Sequence, residues 1–148
     1  MEAVSARSLE FSASLSAPIE DVFAALTDAA RLQRWFCDSC ESESRVNGRL
    51  VMRWTRAGSS SEPFEARWVE FAPPSRAAFQ GGHVGYPGGN AGTVWYALES
   101  HEDGTRLTVT HTLPALTGYE AMLEAWRGAW PRALERLAHH VATAERGA

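Results

Sequence analysis

Lysine is absent from the 148 residues, and all fourteen basic side chains are arginine. Its absence removes the P-loop lysine, Schiff-base chemistry and lysine general bases together. Cysteine is nearly absent, with only Cys37 and Cys40 in a C-x-x-C. A structural zinc site usually needs about four ligands, and no second pair follows. A thioredoxin-type pair opens a helix after a strand. Here the pair follows a helical pattern and leads into a strand pattern, so it reads as incidental. No apolar run approaches the ~18 residues of a membrane-spanning helix. An excess of positive charge is missing too: the net charge is −4 and the pI 5.7, which argues against a nucleic-acid surface. Met1 to Ser8 has no charged-then-apolar leader pattern, so a cytoplasmic location is expected. What is present, 45% hydrophobic and 22% charged residues, is ordinary for a soluble globular protein. A single domain is expected over residues 8–143, with flexible termini at 1–7 and 144–148.

The chain is organised around Tyr119 to Thr143. At about 100° per residue, Tyr119, Met122, Leu123, Trp126, Trp130, Leu134, Leu137 and Val141 share an arc of about 120°. Glu120, Glu124, Arg127, Arg132, Glu135 and Arg136 lie elsewhere on the circle. Thr117 and Glu120 have the spacing of a capping box. Pro131 falls on the polar side and cannot donate to the Arg127 carbonyl, so a kink is expected there. The alternative is two shorter helices meeting at Pro131.

Ahead of that helix, Leu9, Phe11, Ala13 and Leu15 alternate on one face of a strand. Pro18 suits a first helical position, Glu20 and Asp21 suit the helix's positive end, and Ile19, Val22, Phe23 and Leu26 are its apolar face. Thr27-Asp28 can end this helix and cap a second, from Ala29 to Trp35. Strand patterns follow. Asn47-Gly48 marks a hairpin turn with positive φ expected at both residues. Leu50, Met52 and Trp54 alternate, Gly58 to Pro63 is a polar loop, and Phe64 to Phe71 is a strand stopped by Pro73-Pro74. Arg76 to Gln80 is short and extended. Gly81 to Gly92 holds six glycines but no G-x-x-x-x-G-K, and is expected to be a pocket rim or a plain connection. Thr93 to Glu99 and Thr105 to Leu113 are the last strands, joined through Gly104 in an expected bulged turn. Short connections imply an antiparallel sheet, and the class is α+β.

Four stretches carry a resemblance. They are Ala17-Pro18-Ile19-Glu20-Asp21-Val22-Phe23 with Leu26-Thr27-Asp28, then Leu32-Gln33-Arg34-Trp35-Phe36, then Glu70-Phe71-Ala72-Pro73-Pro74-Ser75-Arg76. The fourth runs from Gly104-Thr105-Arg106-Leu107-Thr108-Val109-Thr110-His111 to Ala129-Trp130-Pro131-Arg132-Ala133-Leu134. The chain resembles the SRPBCC superfamily, which includes START lipid-transfer domains, and within it the activator of heat-shock-protein-ninety ATPase homologue-like proteins. Asn47-Gly48 stands where the family often has Gly-Gly, and Ala129 where it often has glycine. The resemblance implies a helix-grip fold: a curved antiparallel sheet of about six to seven strands wrapped around the long C-terminal helix, with two short helices after the first strand. A cavity between sheet and helix is implied with it. Superfamily members include lipid carriers, polyketide cyclases, ring-hydroxylase subunits and many without known ligands, so the fold alone does not fix a function.

Candidate site residues follow from inward faces. Trp54, Trp68, Phe79, Tyr96, Met122 and Trp126 are expected to line the cavity, as aromatic walls suit flat or apolar ligands. His111 sits between Val109 and Leu113 on the inward face, where charge is costly, and can hydrogen-bond a ligand or act as a base. Its plain alternative is a core histidine bonded to backbone or to a tyrosine. His83 in the glycine segment can close over a pocket. His139-His140 can cap the helix end but not share a metal, since neighbours point about 100° apart. No catalytic set, metal site or cofactor is expected. The leading expectation is a binding module for a small, largely apolar or aromatic molecule, with self-association into a homodimer left open. A cyclase- or hydrolase-type enzyme using His111 is the second reading, and a chaperone cofactor linked to stress response is the third.

Overall fold

The computed structural model describes residues 7–56, 59–60, 63–83, 91–114 and 119–147, with side chains described outside 55–60, 83 and 143–147. In chain order the elements are β1 (Ser8–Leu15), α1 (Ile19–Thr27), α2 (Ala29–Trp35), β2 (Ser39–Ser42), β3 (Arg49–Arg53), β4 (Thr55–Arg56) and β5 (Ser59–Ser60). Then come β6 (Phe64–Ala72), β7 (Arg76–His83), β8 (Thr93–His101), β9 (Gly104–Thr112) and α3 (Tyr119–Gly147). Seven strands form one sheet in the order β1-β9-β8-β7-β6-β3-β2, and β4 and β5 pair separately. Every pairing in the large sheet is antiparallel. The class is α+β, with the long helix last and two short helices after the first strand.

Local chemistry explains the joints. Pro18 is the N-cap of α1, with ψ at 154°, one position earlier than the sequence suggests. Its extended ψ leaves Ile19 to begin the helix, and Glu20 and Asp21 occupy the first turn, facing the positive end of the dipole. Asp28 ends α1 by donating its N–H to the Ala24 carbonyl, and its carboxylate caps α2 by accepting from Arg31 N at 3.2 Å. At the Asn47-Gly48 turn only Asn47 is left-handed, with φ 67°. Gly48 is needed for room instead, because a Cβ there would stand 2.1 Å from the Glu43 carbonyl oxygen. The β8–β9 turn departs from expectation in the same way. Glu102 takes the positive φ of 55°, while Gly104 lets the end of β1 come close, a Cβ there meeting the Leu15 carbonyl at 2.1 Å.

Two segments differ from the sequence expectation. Ser59–Ser60 is a short strand inside the stretch read as a loop. β7 runs on to His83 because Gly81 and Gly82 keep pairing with Ala66 and Glu65 of β6. The glycine-rich segment is therefore a strand at its start, and the rim expected from it falls on residues 84–90, outside the described residues. Thr117 of the capping box also lies outside them.

Helix α3 is continuous through Pro131, which is exposed, so the alternative of two helices is not adopted. Its stripe is buried at Met122, Leu123, Trp130, Leu134, Leu137 and Val141. Trp126 alone in the middle of that stripe is only half-buried. The helix packs on β1, α1 and α2. In β6 the pairing slips between Trp68 and Glu70. An extra residue in one strand reverses the alternation beyond it. Val69 is turned outward at 46% exposure, and Phe71 joins Trp68 and Phe23 in edge-on contacts at 5.5 and 5.4 Å.

Candidate functional site

The inward faces of β6, β7 and β8 and the middle of α3 bring the aromatic residues into one connected cluster. Phe64 lies edge-on to Phe79 at 6.0 Å, Trp126 at 6.3 Å and Trp54 at 6.4 Å between ring centroids. Phe79 continues to Trp68 at 5.8 Å and Tyr96 at 6.1 Å. Tyr96 meets Trp130 at 6.4 Å, and Trp130 meets both Trp126 and Phe36 at 5.9 Å. Trp68, Phe79, Tyr96 and Met122 are buried, and Trp54 and Trp126 pack against the same core half-buried. Centroid separations of about 4.5–7 Å with edge-on rings are the favourable geometry for such contacts. Seven of the eight residues expected from the sequence thus face one interior. The eighth, His83, pairs through its backbone with Phe64, and its side chain lies outside the described residues.

Phe36, Phe64 and Trp130 are members of the cluster that the sequence did not single out for the site. The signals were present: Phe64 shares a parity with Trp68 on β6, and Trp130 follows Trp126 by one helical turn. Phe36, at the C-cap of α2, follows Leu32 by one helical turn and so shares the helix's apolar face.

His111 is 1% exposed and bonded at both ring nitrogens. Trp130 Nε1 donates to Nδ1 at 3.1 Å, so Nδ1 is unprotonated and Nε2 carries the hydrogen, which it gives to the Ala91 carbonyl at 2.8 Å. Burial is the main cause that lowers its pKa to about 4, against a smaller opposing effect from the Ala91 carbonyl. The imidazole is neutral at physiological pH and stands edge-on to Trp126 at 4.9 Å. In this arrangement neither nitrogen is free to take a proton from a substrate. Burial also pushes the Tyr96 hydroxyl well above its ordinary range.

Three more tryptophan donors near the core are matched. Trp35 Nε1 donates to the Ala25 carbonyl at 2.8 Å and Trp68 Nε1 to Ser42 Oγ at 3.1 Å. Trp54 Nε1 donates to the Phe36 carbonyl. Trp126 Nε1 is buried and has no acceptor among the described residues.

A polar site of different character lies at the far end of α3. Arg31 donates from Nε to His140 Nε2 at 2.8 Å and from Nη1 to Asp21 Oδ1 at 3.1 Å. Desolvation first, and Arg31 second, lower the His140 pKa. Arg136 Nε caps the Trp35 carbonyl at 2.9 Å. An open groove of about 560 Å³ runs past Arg34, Glu135, Arg136, His139 and His140. Elsewhere, Cys37 is buried and Cys40 half-buried, both as free thiols. The hydrogen bond between them raises the pKa of Cys37 and lowers that of Cys40. Among the described residues no group of three or more histidine, cysteine or carboxylate side chains can hold a metal ion, and no helix is long and apolar enough to cross a membrane.

A family model described as Activator of Hsp90 ATPase homolog 1-like protein matches residues 16–142. No curated protein matches the chain. Among solved structures, protein MLL2253 from Mesorhizobium loti is similar at 15% identity, with a TM-score of 0.79 over 93% of this chain and 98% of that one. CalU16 from Micromonospora echinospora is similar at 24% identity, with a TM-score of 0.73 over 90% of this chain and 75% of that one. The Aha1 dimer from Colwellia psychrerythraea has 18% identity and a TM-score of 0.71, over 90% of this chain and 95% of that one. At these identities the likeness is one of fold.

Proposed function

The chain belongs to the family of Activator of Hsp90 ATPase homolog 1-like proteins, and we propose that it is a binding module for a small, largely apolar or aromatic molecule. The site is the aromatic interior between the sheet and the middle of α3. One observation carries the proposal: Trp126, at the centre of the helix's apolar stripe, stays partly exposed, while Trp130 and Met122 on the same stripe are buried. A partly uncovered tryptophan among Phe64, Trp130 and His111 is a surface that an apolar molecule can cover. Each Å² of apolar area so buried is worth about 25 cal/mol. His111 contributes as a neutral edge and as the acceptor that fixes Trp130, which favours binding over acid–base chemistry. The test is native mass spectrometry of gently purified protein together with a thermal-shift screen of lipids and aromatics. A co-purifying apolar molecule or a concentration-dependent rise in Tm is expected. Bare protein with no stabilising compound would overturn the proposal.

A further inference from the structure

Four buried or half-buried indoles in this core donate to protein acceptors: Trp35, Trp54, Trp68 and Trp130. Trp95 projects from β8 at 36% exposure and can reach water. Trp126 is different, because the residue is partly exposed while its Nε1 is shut away from solvent without an acceptor among the described residues. A buried donor left unmade costs about 1–3 kcal/mol, and a chain that matches its other core indoles leaves this one buried without an acceptor among the described residues.

We infer that the molecule bound in the aromatic interior carries a neutral hydrogen-bond acceptor, a carbonyl oxygen of an aromatic or polycyclic ketone, that receives the Trp126 Nε1–H. The inference rests on the binding proposal above and adds the polar handle that orients the ligand. His111, edge-on to Trp126 at 4.9 Å, cannot supply that acceptor, because its Nδ1 already takes Trp130 and its Nε2 already donates to Ala91. Nor does the site favour an anion. The buried polar side chains among the described residues are Thr27, Thr93, Thr105 and His111, none of them cationic, and an unpaired buried carboxylate is far costlier than a carbonyl. A lone donor in an apolar wall discriminates sharply, because a hydrocarbon of the same shape leaves it unmatched.

The test uses matched pairs, fluorenone against fluorene and benzophenone against diphenylmethane, added to uniformly ¹⁵N-labelled full-length protein. The indole signal of Trp126 is assigned by its loss in Trp126→Phe. Each ketone is expected to move that signal downfield and to bind about tenfold tighter than its hydrocarbon partner. Trp126→Phe, which keeps an aromatic ring but has no N–H, is expected to remove that preference, so that each ketone binds no tighter than its hydrocarbon partner. Equal binding of ketone and hydrocarbon, or ketone binding that leaves the Trp126 signal in place, would overturn the inference and leave the binding proposal standing. If no compound shifts any interior signal, the binding proposal fails and the inference fails with it.

Discussion

The two halves of α3 divide at Pro131 and do different things with one continuous apolar stripe. On the C-terminal side Leu137 and Val141 are fully buried and Leu134 nearly so. The polar side chains around them bind protein: Arg136 caps the end of α2, and His140 takes Arg31. On the N-terminal side the stripe turns aromatic and faces β6 and β9 through Phe64 and His111. There Trp126 is partly exposed and its donor has no acceptor among the described residues. The C-terminal half behaves as a clamp that fastens the helix to α2, and on the binding proposal the N-terminal half is the wall of a site. A uniform pattern in sequence thus covers a division of labour that only the facing residues reveal.

The largest effect should come from breaking the clamp. Leu137→Ala removes a fully buried side chain and should cost about 2–5 kcal/mol of unfolding free energy. Equilibrium denaturation measures it, and a loss below about 1 kcal/mol would mean that the closed half is not closed.

Acid sharpens the comparison next. The folded pKa of His111, about 4, lies below its ordinary 6.5. The unfolded chain therefore takes up the proton first as pH falls. The stability tied to neutral His111 is complete above about 6.5 and is lost progressively down to about 4, in total about 3 kcal/mol. His140 is shifted in the same direction and adds to the slope, so the variant His111→Gln isolates the wall's share. Denaturation curves between pH 7 and 4 should fall less steeply in the variant by roughly that amount. Parallel curves would contradict the neutral, doubly bonded imidazole.

Much of this was legible in the sequence, and the exceptions have physical causes. Alternation placed Leu107, Val109, His111 and Leu113 inward, and all four are buried. The helical period gave the stripe of α3 before any partner was known. Alternation could not foresee the slip at Trp68 to Glu70, which turns Phe71 inward, because a bulge is set by the neighbouring strand and not by its own residues. The partners of His111 were illegible for a similar reason. Ala91 and Trp130 lie 20 and 19 residues away along the chain; the pairing of β8 with β9 brings the first to His111 and the packing of α3 on the sheet brings the second. Positive φ was expected at both Asn47 and Gly48 and only Asn47 takes it, and in the turn before Gly104 it is Glu102 that takes it. Glycine's other use, close approach of a second backbone, leaves the same letter in the sequence.

On the binding proposal, Trp126 walls a site and is not packed core. Trp126→Ala in the ligand-free protein, measured by equilibrium denaturation beside Leu137→Ala, tests it most directly. Part of the Trp126 surface already lacks partners, so the account predicts a loss of only about 1–2 kcal/mol, smaller than that of Leu137→Ala, together with weakened binding of aromatic probes. A loss above about 3 kcal/mol, the value for truncating a fully packed aromatic side chain, would contradict it.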